Sequence, residues 1–182
     1  MVVRHVILDR DGVLNREPPD GSWVARPEDW EWEPGALEAL RRLAAAGVVL
    51  SVATNQSGVG RGVFAMDAVD AVTDLMLRDA EDADAPIDAV FVCPHAPEDL
   101  CDCRKPMPGL IEEAIDWSGV PREETVVVGD APRDLDAAAA ANVRAVLVRT
   151  GKGRETERTI GTGAVAVYDD LRSAAEAIVM ED

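Results

Sequence analysis

The chain alternates between short apolar segments and longer segments in which apolar side chains recur every three to four residues. Each apolar segment is rich in valine and ends in polar or glycine residues, which is typical of a buried strand. The predicted strands cover 2–8, 48–53, 88–92, 125–128, 145–148 and 165–168, and the predicted helices lie between Gly35 and Gly47 and over 67–79, 108–118, 134–141 and 171–179. This order predicts an α/β fold, in which a parallel sheet carries helices on both faces.

The length and hydropathy of the chain limit its organisation. A chain of 182 residues fits one α/β domain over 1–182, with a cysteine-containing loop at about 93–103. No apolar run approaches the roughly 18 to 20 residues that cross a bilayer, and the N-terminus lacks the basic-then-apolar order of a signal peptide. We therefore expect a cytoplasmic protein without a membrane partner.

The net charge is strongly negative, because 35 acidic residues stand against 18 basic ones and give −17 at pH 7. Nucleic acid is excluded as a partner, since binding a phosphate backbone requires a basic stripe and none is visible. Lysine is rare and occurs only at Lys105 and Lys152. Such a composition would suit a cytoplasm of high salt concentration, in which screening shortens the reach of charge repulsion.

Two carboxylates follow the first predicted strand. Asp9 and Asp11 flank Arg10, and Gly12 then allows the chain to turn. Alternation along a strand sends both carboxylates to the same side, where they could share a divalent cation that offsets their repulsion. The alternative is that the segment is a polar turn without a ligand. A parallel sheet, however, places its chemistry at this edge.

Three further strand ends carry groups suited to a phosphoryl ligand. They are Thr54 and Asn55 after the second strand, Arg104 and Lys105 after the third, and Asp130 and Asp134 after the fourth. A glycine-rich run also follows the second strand, and its backbone N–H groups could hold phosphoryl oxygens. Because the carboxyl ends of parallel strands meet at one edge, the set predicts a phosphoryl-transfer site. It has acids for Mg²⁺ and a lysine to offset developing charge.

The same segments resemble the four motifs of the haloacid dehalogenase (HAD) superfamily of phosphohydrolases. Within it they are similar to the branch of D-glycero-D-manno-heptose-1,7-bisphosphate 7-phosphatases, whose relatives include the histidinol-phosphatases. The resemblance is carried by Asp9-Arg-Asp-Gly-Val-Leu-Asn15, Thr54-Asn-Gln-Ser-Gly-Val-Gly-Arg-Gly62, Cys93-Pro-His95, Cys101-Asp-Cys-Arg-Lys-Pro106, and Gly129-Asp130 with Asp134. It covers about residues 5 to 152.

The resemblance implies a capless, three-layer Rossmann-like fold and hydrolysis through an aspartyl-phosphate. Asp9 would be the nucleophile, and Asp11 would protonate the leaving oxygen and later activate water. The implied ligands of Mg²⁺ are Asp9, the backbone carbonyl of Asp11, and Asp130. Thr54 and Lys105 would bind the transferring phosphoryl group, and Asn55 and Arg104 would help to recognise the substrate.

The implied substrate is a small phosphorylated metabolite, first of all the heptose bisphosphate cleaved at its 7-phosphate. Histidinol phosphate or another phosphorylated metabolite remains open, because the heptose branch usually has lysine after Gly-Asp of the fourth motif and this chain has Ala131. The rival from another class is a non-hydrolytic phospho-acceptor signalling domain. Such domains pair adjacent acids on one strand with an acceptor on another, whereas here the acids form Asp-x-Asp.

Three thiols and a histidine fall within eleven residues, as Cys93, His95, Cys101 and Cys103. The order C-x-H, a five-residue spacer and C-x-C offers four ligands at a spacing typical of structural zinc. The alternatives are inert thiols or a redox pair of the last two cysteines. With four protein ligands, Zn²⁺ would fold the loop rather than activate water, and would thereby place the cations that follow it.

Two connecting segments carry further predictions. The loop over 16–33 contains Trp23, Trp30 and Trp32, which either border a ligand or cover the edge of the sheet. The stretch 150–163, rich in glycine, threonine and charge, is predicted to be linker-like. The short distance between the second strand and the next helix leaves no room for a cap domain, so loops would shape access to the site. We expect a monomer.

Overall fold

All strands belong to one parallel sheet. In this computed structural model, which describes residues 2–18, 20–161 and 163–181, they are β1 His5–Leu8, β2 Val49–Asn55, β3 Ala89–Cys93, β4 Thr125–Gly129, β5 Arg144–Val148 and β6 Ala166–Tyr168. Their order in the sheet is β3-β2-β1-β4-β5-β6, and each neighbouring pair is parallel. Two residues of the predicted loops, Pro19 and Thr162, and the ends of the predicted domain, Met1 and Asp182, lie outside the described residues.

Helices cover both faces of the sheet. They are α1 Ala36–Ala45, α2 Met66–Asp82, α3 Gly109–Ser118, α4 Pro132–Ala140, α5 Gly153–Ile160 and α6 Leu171–Met180. The first, second and sixth helices pack on one face, and α3 and α4 pack on the other. Alternate strand residues feed the two cores: Val6 and Leu8 belong to the first and Ile7 to the second. The predicted three-layer α/β fold is confirmed.

The central position of β1 decides where the site lies. This strand is fully buried between β2 and β4, so Asp9, which follows it, stands where the connections diverge to opposite sides of the sheet. Ligands of open α/β sheets bind at this point, beyond the carboxyl ends of the strands.

The prediction of a linker-like stretch over 150–163 is wrong for its central part, which forms the helix α5. Thr156 donates a hydrogen bond from its hydroxyl to the backbone carbonyl of Asp130 at 2.8 Å. At the start of the helix, Gly153 packs so closely on the backbone of Val148 that a Cβ would overlap it. Only Gly153 and Thr156 are buried in this helix, so it has no apolar stripe from which periodicity could predict it.

The tryptophans of the loop over 16–33 divide between the two expected roles. Trp30 and Trp32 meet edge to face, with ring centroids 5.1 Å apart, and pack against the core on the α1 side. Trp23 remains 39% exposed and contacts Phe64 edge to face at 6.2 Å. Two indoles therefore cover the sheet, and one lies on the side of the site.

Within the described residues, no helix has the length and apolar character needed to cross a bilayer. The described strands all belong to the one sheet, so no second sheet forms a cap in this part of the chain.

Candidate active site

The Asp9 carboxylate is almost fully buried directly after β1. Its Oδ1 lies 3.0 Å from Nζ of Lys105 and accepts a hydrogen bond from the N–H of Arg10 at 2.8 Å. Its Oδ2 accepts a hydrogen bond from Nη2 of Arg133 at 3.3 Å. Burial alone would raise the pKa of Asp9, but the two nearby cations outweigh burial and lower it. Asp9 is therefore held as a carboxylate, which is the form required of a nucleophile.

Lys105 is buried among oxygen atoms. Its Nζ lies 2.6 Å from Oδ1 of Asp134 and donates to the carbonyl of Ala53 at 2.7 Å. Burial alone would lower the pKa of Lys105, but the charges of Asp134 and Asp9 raise it. The ammonium group is thus a permanent cation on one side of the nucleophile.

Asn55 fixes the backbone of Lys105. Its Nδ2 donates to the Lys105 carbonyl at 2.9 Å, and its Oδ1 accepts from the Lys105 N–H at 3.1 Å. Both ends of the carboxamide are therefore used inside the protein. Asn55 therefore positions Lys105, and because a carboxamide has two N–H groups and only one is used here, substrate recognition by Asn55 stays a prediction.

Three carboxylates meet beside the nucleophile position. Asp9, Asp130 and Asp134 bring side-chain oxygens within 4.8 Å of one another. Burial, and then repulsion from Asp9 and Asp134, raises the pKa of Asp130 to about 8. Burial is also the main reason that the pKa of Asp134 is raised. Oδ1 of Asp130 is buried and receives no hydrogen bond, so this oxygen-rich group fits a hard divalent cation such as Mg²⁺.

Two glycines lie against the Asp130 carboxylate. Gly12 and Gly151 both have positive φ, +87° and +51°, and a Cβ on either would overlap that carboxylate. The N–H of Lys152 donates to Oδ2 of Asp130 at 2.7 Å. Glycine is required at both positions, because only glycine combines this backbone conformation with so close an approach.

The Asp11 side chain faces other partners. Strand alternation predicts that it shares a cation with Asp9, but β1 ends at Leu8, and within the described residues Asp11 is not part of the three-carboxylate group. It accepts hydrogen bonds from Nη2 of Arg10 at 3.0 Å, Nδ2 of Asn15 at 3.0 Å and Nε2 of Gln56 at 2.9 Å. Any contribution of Asp11 to a cation site would come from its backbone carbonyl, since these three residues engage its carboxylate.

Thr54 joins the same network. The Nε2 of Gln56 donates both to Oγ1 of Thr54 and to Oδ2 of Asp11, each at 2.9 Å. The strand ends of β1 and β2 are thereby tied together at the site, as the sequence predicts for Asp11 and Thr54.

A cavity of about 200 Å³ opens beside these groups. Its lining includes Asp11 and Asn55, the loop residues Glu17 and Trp23, and the cations Arg104, Arg133 and Lys152. A second cavity of about 900 Å³ lies within the neighbouring loop. The charged residues that line it are Arg16, Glu17, Asp20, Arg26, Asp29 and Glu31, and both arginines are in ion pairs. The smaller cavity is lined by three cations and two acids, and the larger one by two cations and four acids, so the smaller cavity is the one suited to an anionic ligand.

Three residues of the site were not predicted from the sequence: Arg133, Lys152 and Gln56. Arg133 lies between two aspartates of the fourth motif, and this position was the only signal that it belongs to the site. Lys152 reaches the site because β5 ends there, and its Nζ pairs with Glu17 at 2.6 Å. That contact spans 135 residues of sequence, so no local pattern predicts it.

The four predicted zinc ligands lie together. The three cysteine Sγ atoms are 3.1 to 3.7 Å apart. Nδ1 of His95 lies 3.2 Å from Sγ of Cys103 and 3.6 Å from Sγ of Cys93. Tetrahedral zinc with Zn–S bonds of about 2.3 Å separates its sulfur ligands by about 3.8 Å. All three cysteines are free. Burial opposes ionisation, but hydrogen bonds, first from the Arg104 backbone, lower the pKa of Cys101 to about 7. Burial raises the pKa of Cys93 and of Cys103, so these two thiols would need the charge of a metal to ionise.

The cysteine-containing loop is bonded to the strand ends of the site. The N–H of Gln56 donates to the carbonyl of Cys93, and the N–H of Gly60 donates to that of Pro94, both at 2.8 Å. Lys105 follows only two residues after Cys103. The conformation of this loop therefore bears on two groups of the site, the Gln56 amide and the Lys105 ammonium.

Comparison with known proteins places this site among phosphatases. Residues 102–174 match the model of the HAD-hydrolase-like family. The chain is 41% identical to the D-glycero-beta-D-manno-heptose-1,7-bisphosphate 7-phosphatase of Bordetella bronchiseptica, over 97% of this chain and 98% of that protein. It is 36% identical to the enzyme of that name from Pseudomonas aeruginosa, over 96% and 97%.

A solved structure agrees with these matches. The crystal structure of the D,D-heptose 1,7-bisphosphate phosphatase from B. bronchiseptica, complexed with magnesium and phosphate, superposes with a TM-score of 0.92. The superposition covers 99% of this chain and all of that one, at 39% sequence identity.

Proposed function

This chain belongs to the family of the D-glycero-beta-D-manno-heptose-1,7-bisphosphate 7-phosphatases within the HAD-like phosphoric monoester hydrolases, and from that membership we propose that it removes the 7-phosphate of this heptose bisphosphate. The observation that carries the proposal is the buried Asp9 carboxylate. It has a lysine at one oxygen and an arginine at the other. A carboxylate held ionised in this way, beside a cavity lined by cations, suits attack on a phosphate ester.

In the first step Asp9 attacks phosphorus, and the bond from phosphorus to the sugar oxygen breaks. Asp11 acts as the general acid and gives a proton to the leaving oxygen. The products are an aspartyl-phosphate at Asp9 and the sugar alcohol. Lys105 offsets the charge that develops on the phosphoryl oxygens.

In the second step Asp11 acts as a base. Its carboxylate takes a proton from a water molecule, whose oxygen attacks phosphorus while the bond to Asp9 breaks. Inorganic phosphate leaves and Asp9 returns to its starting state. Asn15 and Gln56, which both donate to Asp11, hold it in one orientation through both proton transfers.

We propose Mg²⁺ as the cofactor of this reaction. Asp9, Asp130 and the backbone carbonyl of Asp11 would hold it, and the unpartnered Oδ1 of Asp130 supports this set. When bound, Mg²⁺ would offset the combined negative charge of the nucleophile and the phosphate.

We propose a structural Zn²⁺ at Cys93, His95, Cys101 and Cys103. Its support is the separation of the four ligand atoms. Metal analysis of protein purified without chelator should give about one zinc per chain, and Cys101→Ser should lose it. A native, metal-free protein with full Mg²⁺-dependent activity would contradict this part of the proposal.

The cavity favours a bisphosphate over histidinol phosphate. Arg104 and Lys152 line it. Although Lys152 is paired with Glu17, the cations of the cavity outnumber its acids, so a second phosphate would be attracted and the amine of histidinol phosphate repelled.

The substrate is tested with a panel of phosphate esters assayed with Mg²⁺. The heptose 1,7-bisphosphate should have a kcat/KM at least about tenfold above that of histidinol phosphate, which is about 1.4 kcal/mol of transition-state binding. Phosphate should leave from position 7. A higher kcat/KM for histidinol phosphate would reject the substrate, and a stable phospho-Asp9 without turnover would favour a signalling role.

Three further properties belong to the same proposal. The one continuous sheet supports a single domain. The net charge of −17 supports a monomer, because it repels a second copy of the chain. A cytoplasmic location is supported by three free thiols, which a reducing compartment preserves. Sedimentation analysis would test the monomer.

A further inference from the structure

Arg133 approaches the nucleophile from the side opposite to Lys105. It lies in the first turn of α4, and its Nη2 is 3.3 Å from Oδ2 of Asp9, whereas Lys105 contacts Oδ1. The two cations differ in exposure: the Lys105 side chain is 1% exposed and that of Arg133 is 30% exposed. Arg133 also lines the cavity suited to an anion, so it is open to the space that a substrate would enter.

The guanidinium of Arg133 has unused donors. Three carboxylates face it, Asp9, Asp134 and Asp130, and they raise its pKa although burial opposes this. Its Nε is buried and has no hydrogen-bond partner. Among the described residues, Arg133 makes one hydrogen bond, from Nη2 to Asp9, whereas an arginine offers five N–H groups in a planar fork.

We propose that Arg133 is a second catalytic cation, which binds an oxygen of the phosphoryl group during its transfer; the inference rests on the proposed phosphatase function. The fork can keep one N–H on Asp9 while another reaches a non-bridging phosphoryl oxygen in the cavity. This would align the nucleophile with phosphorus and offset charge on the side that Lys105 does not reach.

Two weaker roles make different predictions. If Arg133 only oriented Asp9, its loss would slow turnover without changing the affinity for free phosphate. If it bound the distal part of the substrate, its loss would affect heptose bisphosphate but not a minimal ester such as p-nitrophenyl phosphate. The proposal requires both the phosphate affinity and the turnover of both esters to change.

The experiment compares Arg133→Ala, Arg133→Gln and Arg133→Lys with wild type, and uses Arg154→Ala as the control. Arg154 is exposed on α5, where the same loss of charge occurs away from the site. In the presence of Mg²⁺, inorganic phosphate should inhibit Arg133→Ala and Arg133→Gln at least about tenfold more weakly than wild type. Turnover of both esters should fall by about a hundredfold, Arg133→Lys should recover part of both losses, and Arg154→Ala should match wild type.

The outcomes separate this inference from the function on which it rests. If wild type cleaves no phosphate ester, the proposed function fails. If wild type is active and folded Arg133→Gln keeps wild-type inhibition by phosphate, the phosphoryl contact is rejected and the function stands. Slower turnover of heptose bisphosphate alone would also reject the phosphoryl contact, because Arg133 would then bind a part of the substrate away from the transferred phosphate.

Discussion

At the scale of single residues, the mechanism depends on the Asp9 carboxylate. Asp9→Asn keeps the shape of the side chain but removes both the proposed nucleophile and a proposed ligand of Mg²⁺. Turnover should fall at least about a thousandfold, or about 4 kcal/mol of barrier. The measurement is kcat with Mg²⁺, and Asp74→Asn, at an exposed position of α2, is the control. A tenth of wild-type turnover in folded Asp9→Asn would contradict the mechanism.

Substitutions of two adjacent cations, Arg104 and Lys105, should change different kinetic parameters. Lys105 touches the nucleophile, so Lys105→Met should lower kcat about a hundredfold or more, because it acts on charge that grows during transfer. Arg104 lines the cavity away from Asp9, so Arg104→Ala should mainly raise KM, by about tenfold. Steady-state kinetics on the heptose bisphosphate measure both. Equal changes of both parameters in both variants would remove the distinction.

At the scale of elements, His5 on β1 makes the sheet sensitive to acid. The ring is fully buried between Ser51 and Ser118, with hydrogen bonds of 2.8 and 3.1 Å. Burial is the main cause that lowers its pKa from 6.5 to about 4. Because the unfolded chain binds the proton more readily, stability is fully present above pH 6.5 and is lost as pH falls towards 4. The loss is about 3 kcal/mol.

Denaturant unfolding at pH 7 and pH 4 tests this contribution. His5→Gln should lose about 3 kcal/mol less between the two pH values than wild type, because it has no ring to protonate. Val6→Ala, which also perturbs buried β1 but keeps His5, should retain the wild-type difference. A pH dependence of His5→Gln equal to that of wild type would show that groups other than His5 cause the acid lability.

The sequence predicts those helices and strands whose apolar residues recur at a regular spacing. The strands and five of the helices have buried residues at regular spacing, and their predicted bounds agree with the structure within a few residues. α5 has almost no apolar side chains, so its helical form depends on docking against β5 and Asp130. The role of Asn55 was equally hidden, because its partner Lys105 lies 50 residues away. Motifs predicted which residues meet, but not which of them bond to each other.

At the scale of the whole molecule, a net charge of −17 opposes the approach of an anionic substrate. The cations of the cavity attract it only at short range. The Debye length is about 30 Å at 0.01 M salt and about 8 Å at 0.15 M, so added salt screens the long-range repulsion first.

We therefore expect kcat/KM for the bisphosphate to rise as the salt concentration increases from about 0.01 to 0.15 M at fixed Mg²⁺. A neutral viscogen at matched viscosity is the control, since it changes diffusion but not screening. A steady fall of kcat/KM over this range would mean that the local field of Arg104, Arg133 and Lys152 dominates the approach.

The glycines around Asp130 also limit how this protein can evolve. At Gly12 and Gly151 any side chain would strike a carboxylate that the reaction needs, so laboratory selections should recover almost no substitutions at these two positions. The loop over 16–33 lines the larger cavity, and its described residues are not among the three clustered carboxylates. Variants with a new substrate range should therefore arise in that loop, while the residues that cleave the phosphate stay unchanged.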